Sequence, residues 1–168
     1  TGFNTKNWIV ATVPGTVLTS YKNVGAIPNP NYADNIFHIS ESFFNSNFWY
    51  RNEFVVPENF NQERLFINFD GINWKANIFL NGKKIGRIEG AFMRGKFDIT
   101  DHVVAGRNVV AVEIIKNEHI GAIKEKNEVN TDFNGGILGA DNPTFHASIG
   151  WDWISTIRGR NIGIYNDV

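Results

Sequence analysis

Residues 65–117 read LFINFDGINWKANIFLNGKKIGRIEGAFMRGKFDITDHVVAGRNVVAVEIIKN, and this stretch decides the fold. From Trp74 onward the apolar residues Ala76, Ile78 and Leu80 fall at every second position, with Lys75, Asn77 and Phe79 between them. A period of two places one row of side chains on the buried face of a sheet. The run stops at Asn81-Gly82, a pair that tolerates the positive φ of a type I′ turn, so residues 85–88 are predicted to fold back as a hairpin. A second turn is expected at residues 105–108. After it, residues 109–115 form a nearly unbroken Val, Ala and Ile run with Glu113 as its charged interruption. Such a run predicts a central strand covered on both faces.

On the N-terminal side, residues 8–13 predict a short strand stopped by the Pro14-Gly15 turn, with Trp8 packed in the core rather than offered as a sugar platform. Residues 21–35 hold Pro28, Pro30 and several Asn and Gly residues, which predicts an irregular surface loop. Residues 43–57 alternate again, with Trp49, Arg51, Glu53 and Val55 on one face and Phe48, Tyr50, Asn52 and Phe54 on the other, until Pro57 closes the strand. A guanidinium withdrawn from water needs a carboxylate, so Arg51 is expected to pair with Glu113 or Asp70. Residues 119–142 are polar and without strand periodicity, which fits a binding loop, a lid or a surface excursion.

The 168 residues suffice for one domain with a single core. Sixteen Lys and Arg against seventeen Asp and Glu, spread along the chain, offer no electrostatic surface for nucleic acid or anionic membrane. No stretch reaches the roughly 18 to 20 apolar residues of a membrane span. The absence of Cys removes disulfides, thiolate metal sites and cysteine nucleophiles. His38, His102, His119 and His146 lack ligand spacing, and no glycine-rich phosphate loop follows a strand, so neither metal nor other cofactor is expected. The chain begins at Thr1, which suggests an excised or processed chain and makes the missing signal peptide weak evidence against secretion. No usable N-glycosylation acceptor is present, which leans towards a bacterial source. A secreted or periplasmic bacterial protein is expected.

The strings FDGINWKANIFLNGKKIG and FDITDHVVAGRNVVAVEI, with matching positions Gly71, Ala76, Asn81, Gly82, Asp98, Gly106 and Asn108 among others, resemble the sugar-binding N-terminal domain of family 2 glycoside hydrolases. Ala91-Phe92 stands where that family more often has Gly-Phe, and Asn52 replaces a second Arg in its W-Y-R-R signature. The string GAIPNPNYADN and the pairing of Gly150-Trp151-Asp152-Trp153 with Arg160-Asn161-Ile162-Gly163-Ile164-Tyr165 resemble the exo-β-glucosaminidase and β-mannosidase branches. The resemblance implies an all-β, antiparallel β-sandwich of the jelly-roll, galactose-binding-like kind, with helix confined to short turns. It also implies terminal strands before Thr1 and beyond Val168, whose absence would expose edges that self-association could pair.

The resemblance further implies that Asp152, with Trp151 or Trp153, bonds the terminal sugar. The chemistry agrees, since a carboxylate accepts from vicinal hydroxyls and an indole covers the C–H face of a pyranose. On an extended segment, however, the two Trp side chains share one face and Asp152 takes the other, so core plugs and a turn cap remain the competing reading. Asn29 and Asn35, with Asn31 and Tyr32, could reach a sugar hydroxyl or satisfy their own loop. Glycoside hydrolysis uses two carboxyls about 5 to 10 Å apart. Asp70, Asp98, Asp132, Asp141 and Asp152 form no convincing pair, and in the family the acid/base and nucleophile lie on a later (β/α)₈ barrel. The expectation is therefore a non-catalytic domain, residues 1–168, that binds carbohydrate beside downstream domains of the same polypeptide. A stand-alone carbohydrate-binding module and a purely structural domain are the alternatives.

Overall fold

The computed structural model describes residues 3–60, 64–119, 128 and 157–168. Its centre is the hairpin that the Asn-Gly pair dictates. Strand β4 (Lys75–Leu80) turns at Asn81 (φ 50°) and Gly82 (φ 84°) into β5 (Lys83–Glu89), pairing Leu80 with Lys83. Both turn residues have the left-handed φ that a two-residue hairpin matching strand twist demands. On its other edge β4 pairs antiparallel with β7 (Gly106–Ile114), which pairs in turn with β1 (Phe48–Val56). The sheet order is β1-β7-β4-β5, so the Val-rich run is central, as its composition predicts.

Its burial differs from that expectation. Asn108, Val110, Val112 and Ile114 are buried, whereas Val109, Ala111 and Glu113 are only half-buried. Among the described residues, a second layer covers one face and not the other. That layer is made by β2 (Phe66–Phe69) paired with β6 (Gly95–Asp98), and by β3 (Ile72–Asn73) paired with β8 (Gly163–Ile164), all antiparallel. Between the layers, Phe69, Ile72, Ile88, Ile99, Ile162 and Ile164 pack on Ala76, Ile78, Leu80, Val110, Val112 and Ile114 in one cluster. Close approach is enforced at Gly86, where an added Cβ would stand 2.1 Å from the Phe97 ring. Two antiparallel layers around one apolar core form the β-sandwich predicted from the sequence.

The fully buried Asn108 explains the Gly-x-Asn turn. Its amide donates to the carbonyls of Val104 (2.7 Å) and Gly106 (3.0 Å), and its oxygen accepts from Val104 N–H (2.9 Å) and Asn81 Nδ2 (2.8 Å). Asn81 Oδ1 accepts from Val109 N–H at 2.9 Å, so the two hairpin-end asparagines lock β4 to β7. A buried carboxamide is tolerated because its donors and acceptor are used.

Three expectations change. Residues 8–13 belong to no strand, and Trp8 is 39% exposed with its ring edge on Phe3, so it is not a core residue. The segment lies over an open apolar slot instead of in a ladder. Next, α1 (Val17–Asn23) runs into the start of the stretch from Tyr21 predicted as loop, because Thr16 Oγ1 accepts from Thr19 N–H (3.1 Å) and Val17 and Leu18 bury themselves. Finally, β1 starts at Phe48, since residues Glu41–Phe44 form a 3-10 turn. The faces of β1 are otherwise as expected: Phe48, Tyr50 and Phe54 pack on the core, and Trp49 and Val55 are exposed. Arg51 pairs with Glu53 on its own face, and Glu53 also holds Arg107. Glu113 instead accepts from Asn47 and Asn77, and Asp70 meets Arg94, so neither is the Arg51 partner.

Candidate functional site

The loop after α1 is built on two buried anchors, Ile27 and Ile39. Between them Pro28 and Pro30 lack a backbone donor, and the asparagines replace the missing ladder. Asn29 Oδ1 accepts from Asn31 N–H (3.1 Å), and Asn35 Nδ2 donates to the Asn29 carbonyl (3.0 Å). The structure therefore brings Asn29 and Asn35 together and gives each a loop-closing bond. Asn29 remains exposed and Tyr32 is 70% exposed, so the loop tip still presents an amide and a phenol to solvent.

A residue not singled out from the sequence holds this loop in place. Arg158, 1% exposed, sits in the 3-10 turn Arg158–Asn161. Its Nε donates to the Ile36 carbonyl (2.9 Å) and its Nη2 to that of Phe37 (3.3 Å), while Nη1 lies 3.5 Å from the Glu41 carboxylate. A buried guanidinium is stable only with such a set of acceptors. Gly159 (φ 73°) seats it: a Cβ there would stand 2.7 Å from the Phe44 ring. The signal in the sequence was one Arg-Gly pair among many polar residues, too little to name partners some 120 positions away. Arg158 lies six positions after Asp152 in sequence, and it is fixed to Ile36 and Phe37, which directly follow the loop that carries Asn29 and Asn35.

Trp151, Asp152 and Trp153 themselves lie outside the described residues, as do Asp132, Asp141 and the stretch 129–142. Several of the described carboxylates have structural partners, among them Glu53, Glu89, Asp98 and Glu113. Arg107, and then Arg51, hold the Glu53 carboxyl below its ordinary range. Hydrogen bonds from the Thr100 hydroxyl (2.6 Å) and N–H (3.1 Å) do the same for Asp98, which caps the turn after β6. Among the described residues no three His, Asp or Glu side chains converge as a metal cluster.

Two cavities of about 380 and 420 Å³ lie between residues 7–13 and β1. Their walls include Trp8, Ile9, Ala11, Val17, Trp49, Val110 and Val112, with the Tyr50 phenol among them. Burial pushes that phenol up to about 12, against a smaller opposing effect of the Ser20 hydroxyl. Its oxygen reaches no hydrogen-bond partner of good geometry. Walls this apolar suit hydrocarbon side chains better than a hydroxyl-rich sugar.

Comparison with known proteins adds a family. Residues 1–166 match the model described as the glycosyl hydrolase 2 galactose-binding domain-like family. A mannosylglycoprotein endo-β-mannosidase of Lilium longiflorum is 34% identical over 96% of this chain and 17% of its own length. An exo-β-D-glucosaminidase of Streptomyces avermitilis is 29% identical over 99% of this chain and 16% of its own. A solved structure of the exo-β-D-glucosaminidase CsxA superposes with a TM-score of 0.72 at 25% identity, covering 99% of this chain and 17% of that one. A β-D-mannosidase from Dictyoglomus thermophilum gives 0.67 at 27%, covering 93% and 19%. The chain thus spans about one sixth of the length of the curated relatives it matches.

Proposed function

The chain belongs to the glycosyl hydrolase 2 galactose-binding domain-like family, as a non-catalytic N-terminal domain, and we propose that it shapes the terminal-sugar subsite of an exo-acting glycoside hydrolase. The parent would act on a β-linked mannoside, glucosaminide or galactoside, with the cleaving carboxyls on a downstream (β/α)₈ barrel. In this reading Asp152 accepts from sugar hydroxyls, Trp151 or Trp153 covers a pyranose face, and the loop tip with Asn29 and Asn35 borders the entrance. The observation that carries it is the Arg158 clamp, which ties the segment leading from Asp152 to the asparagine loop through buried hydrogen bonds. The described residues nearest in sequence to the triplet thus stand beside the asparagine loop, which supports this reading.

The test is Asp152→Ala in the full-length enzyme, assayed on aryl β-glycosides of mannose, glucosamine and galactose. Loss of charge-assisted hydrogen bonds worth about 2–3 kcal/mol lowers kcat/KM by about 30- to 150-fold on the preferred sugar, with unchanged thermal unfolding. Unaltered kinetics in the folded variant rejects the role. The lily relative, named as an endo-acting enzyme, favours a second reading in which the parent cuts within a glycan. Product analysis on a reduced oligosaccharide separates them, since exo action releases only monosaccharide at early times.

A further inference from the structure

Asn-Gly occurs at residues 81–82 and 134–135, and the first pair belongs to the described residues. In this dipeptide the side-chain amide is chemically labile, because a glycine nitrogen with no Cβ beside it reaches the neighbouring carboxamide carbon with little hindrance. Here the attacking half is open: Gly82 is exposed, and a Cβ built on it would meet nothing within 4 Å. The other half is held. Asn81 Nδ2 uses both its hydrogens, donating to Asn108 Oδ1 (2.8 Å) and to the His102 carbonyl (3.1 Å), and Oδ1 accepts from Val109 N–H (2.9 Å). The backbone N–H of Asn81 donates to the Val109 carbonyl at 2.8 Å, so main chain and side chain are both fixed to β7. Asn108 is itself fully buried and anchored on the Val104 and Gly106 carbonyls.

We propose that Asn81 is a deamidation site which the sheet keeps intact only while β4 and β7 are locked together, so that opening of this hairpin end is recorded as a one-way chemical change. In the step itself the Gly82 nitrogen forms a bond to Asn81 Cγ, the Cγ–Nδ2 bond breaks, and the Gly82 proton leaves with that nitrogen as ammonia. Water then opens the cyclic imide at either carbonyl, giving an aspartyl or an isoaspartyl residue, with no oxidant or reductant involved. To start, the carboxamide must turn from β7 towards its own backbone and give up the three bonds to Asn108, His102 and Val109. The lock is therefore also the protection, and Asn108 sets it without taking part in the chemistry. Refolding does not restore the lock. A carboxylate at position 81 carries no hydrogen, so the oxygen that replaces Nδ2 meets the Asn108 oxygen and the His102 carbonyl, acceptor against acceptor. Asn108 cannot turn its amide to meet it without losing its bonds to Val104 and Gly106. An isoaspartyl residue adds a backbone carbon to a two-residue turn and displaces the Leu80–Lys83 pairing that the turn sets. The inference is independent of the sugar subsite.

Peptide-level mass spectrometry on the full-length enzyme tests it. The enzyme is held at mildly alkaline pH, either native or in guanidinium, and then digested with trypsin, which cuts after Lys75 and Lys83 and so separates residues 76–83 from the Asn134-Gly135 pair. Conversion at residue 81 is at least about thirtyfold slower in the native enzyme than in guanidinium, the retardation of three hydrogen bonds broken together. Asn108→Ala raises the native rate at least about fivefold and leaves the denatured rate unchanged. Ile72→Val, which thins the core between the layers and makes no bond to this network, leaves the native rate within about twofold of wild type. Equal native and denatured rates in the wild-type enzyme overturn the proposal, a comparison that needs no variant to fold. Equal acceleration by the two variants overturns it as well, by assigning the conversion to global unfolding. Asn81→Asp, which mimics one product, melts several degrees below wild type at pH 7, and an unchanged melting temperature overturns the one-way character of the change.

Discussion

Tyr50 carries its phenol into the core beside Ser20 and Ile164 without a hydrogen bond of good geometry. A buried hydroxyl with no partner contributes little, so Tyr50→Phe changes stability at pH 7 by less than about 1 kcal/mol in chemical denaturation. The alkaline limb is more sensitive. Burial raises this phenol from 10.0 to about 12, so its contribution is complete below pH 10 and is lost as the pH rises towards 12, where the unfolded chain ionises first. The wild-type chain therefore loses stability over that window, and Tyr50→Phe flattens the loss. Arg158 behaves oppositely. Arg158→Met removes the hydrogen bonds to the Ile36 and Phe37 carbonyls and the cation beside the Glu41 carboxylate, costing roughly 2–4 kcal/mol in a denaturant titration. In the full-length enzyme it also raises KM, because the asparagine loop loses its anchor. Arg51 was legible as an ion-paired cation, but its partner was not: alternation places Glu53 on the same face two residues away, and Glu53 is shared with Arg107.

At the scale of elements, the β4–β5 hairpin is the part most completely written in local sequence. Asn81 combines a positive φ with bonds to Asn108, Val109 and the His102 carbonyl, so Asn81→Ala strains the turn and unlocks β4 from β7. A cost of roughly 2–4 kcal/mol is expected, seen as a lower denaturation midpoint with unchanged slope. Helix α1 and the arm before it show the limit of periodicity. A seven-residue helix capped by Thr16 needs only Val17 and Leu18 buried, too short a pattern to stand out. The arm alternates like a strand because it carries strand-forming residues, yet strand structure also requires a partner, and among the described residues it has only the short ladder at Gly15 and Val17.

For the whole molecule, the sandwich holds up the asparagine loop and fixes Arg158 beside it, partners hold the Glu53 and Asp98 carboxyls below their ordinary range, and under the proposed function the cleaving carboxyls lie elsewhere in the polypeptide. Calorimetry on the 168-residue chain with mannose, glucosamine or galactose therefore shows no saturable heat, whereas the full-length enzyme binds the sugar it releases. Saturable binding by the short chain would instead favour a stand-alone carbohydrate-binding module. Taken alone, the sequence determined the fold class, the hairpin, the central place of the Val-rich strand and the two loop regions worth suspecting. The hairpin and the central strand follow from side-chain period and turn chemistry, which act between near neighbours, whereas the sandwich class and the suspected site regions rest on the family resemblance. Only the tertiary structure decided that Trp8 is partly exposed, that one face of the central strand is only half-buried, and that Arg158 joins two distant segments. Those depend on which surfaces meet across some hundred residues of chain, and burial of a charge or an indole is settled by the neighbours it finds there.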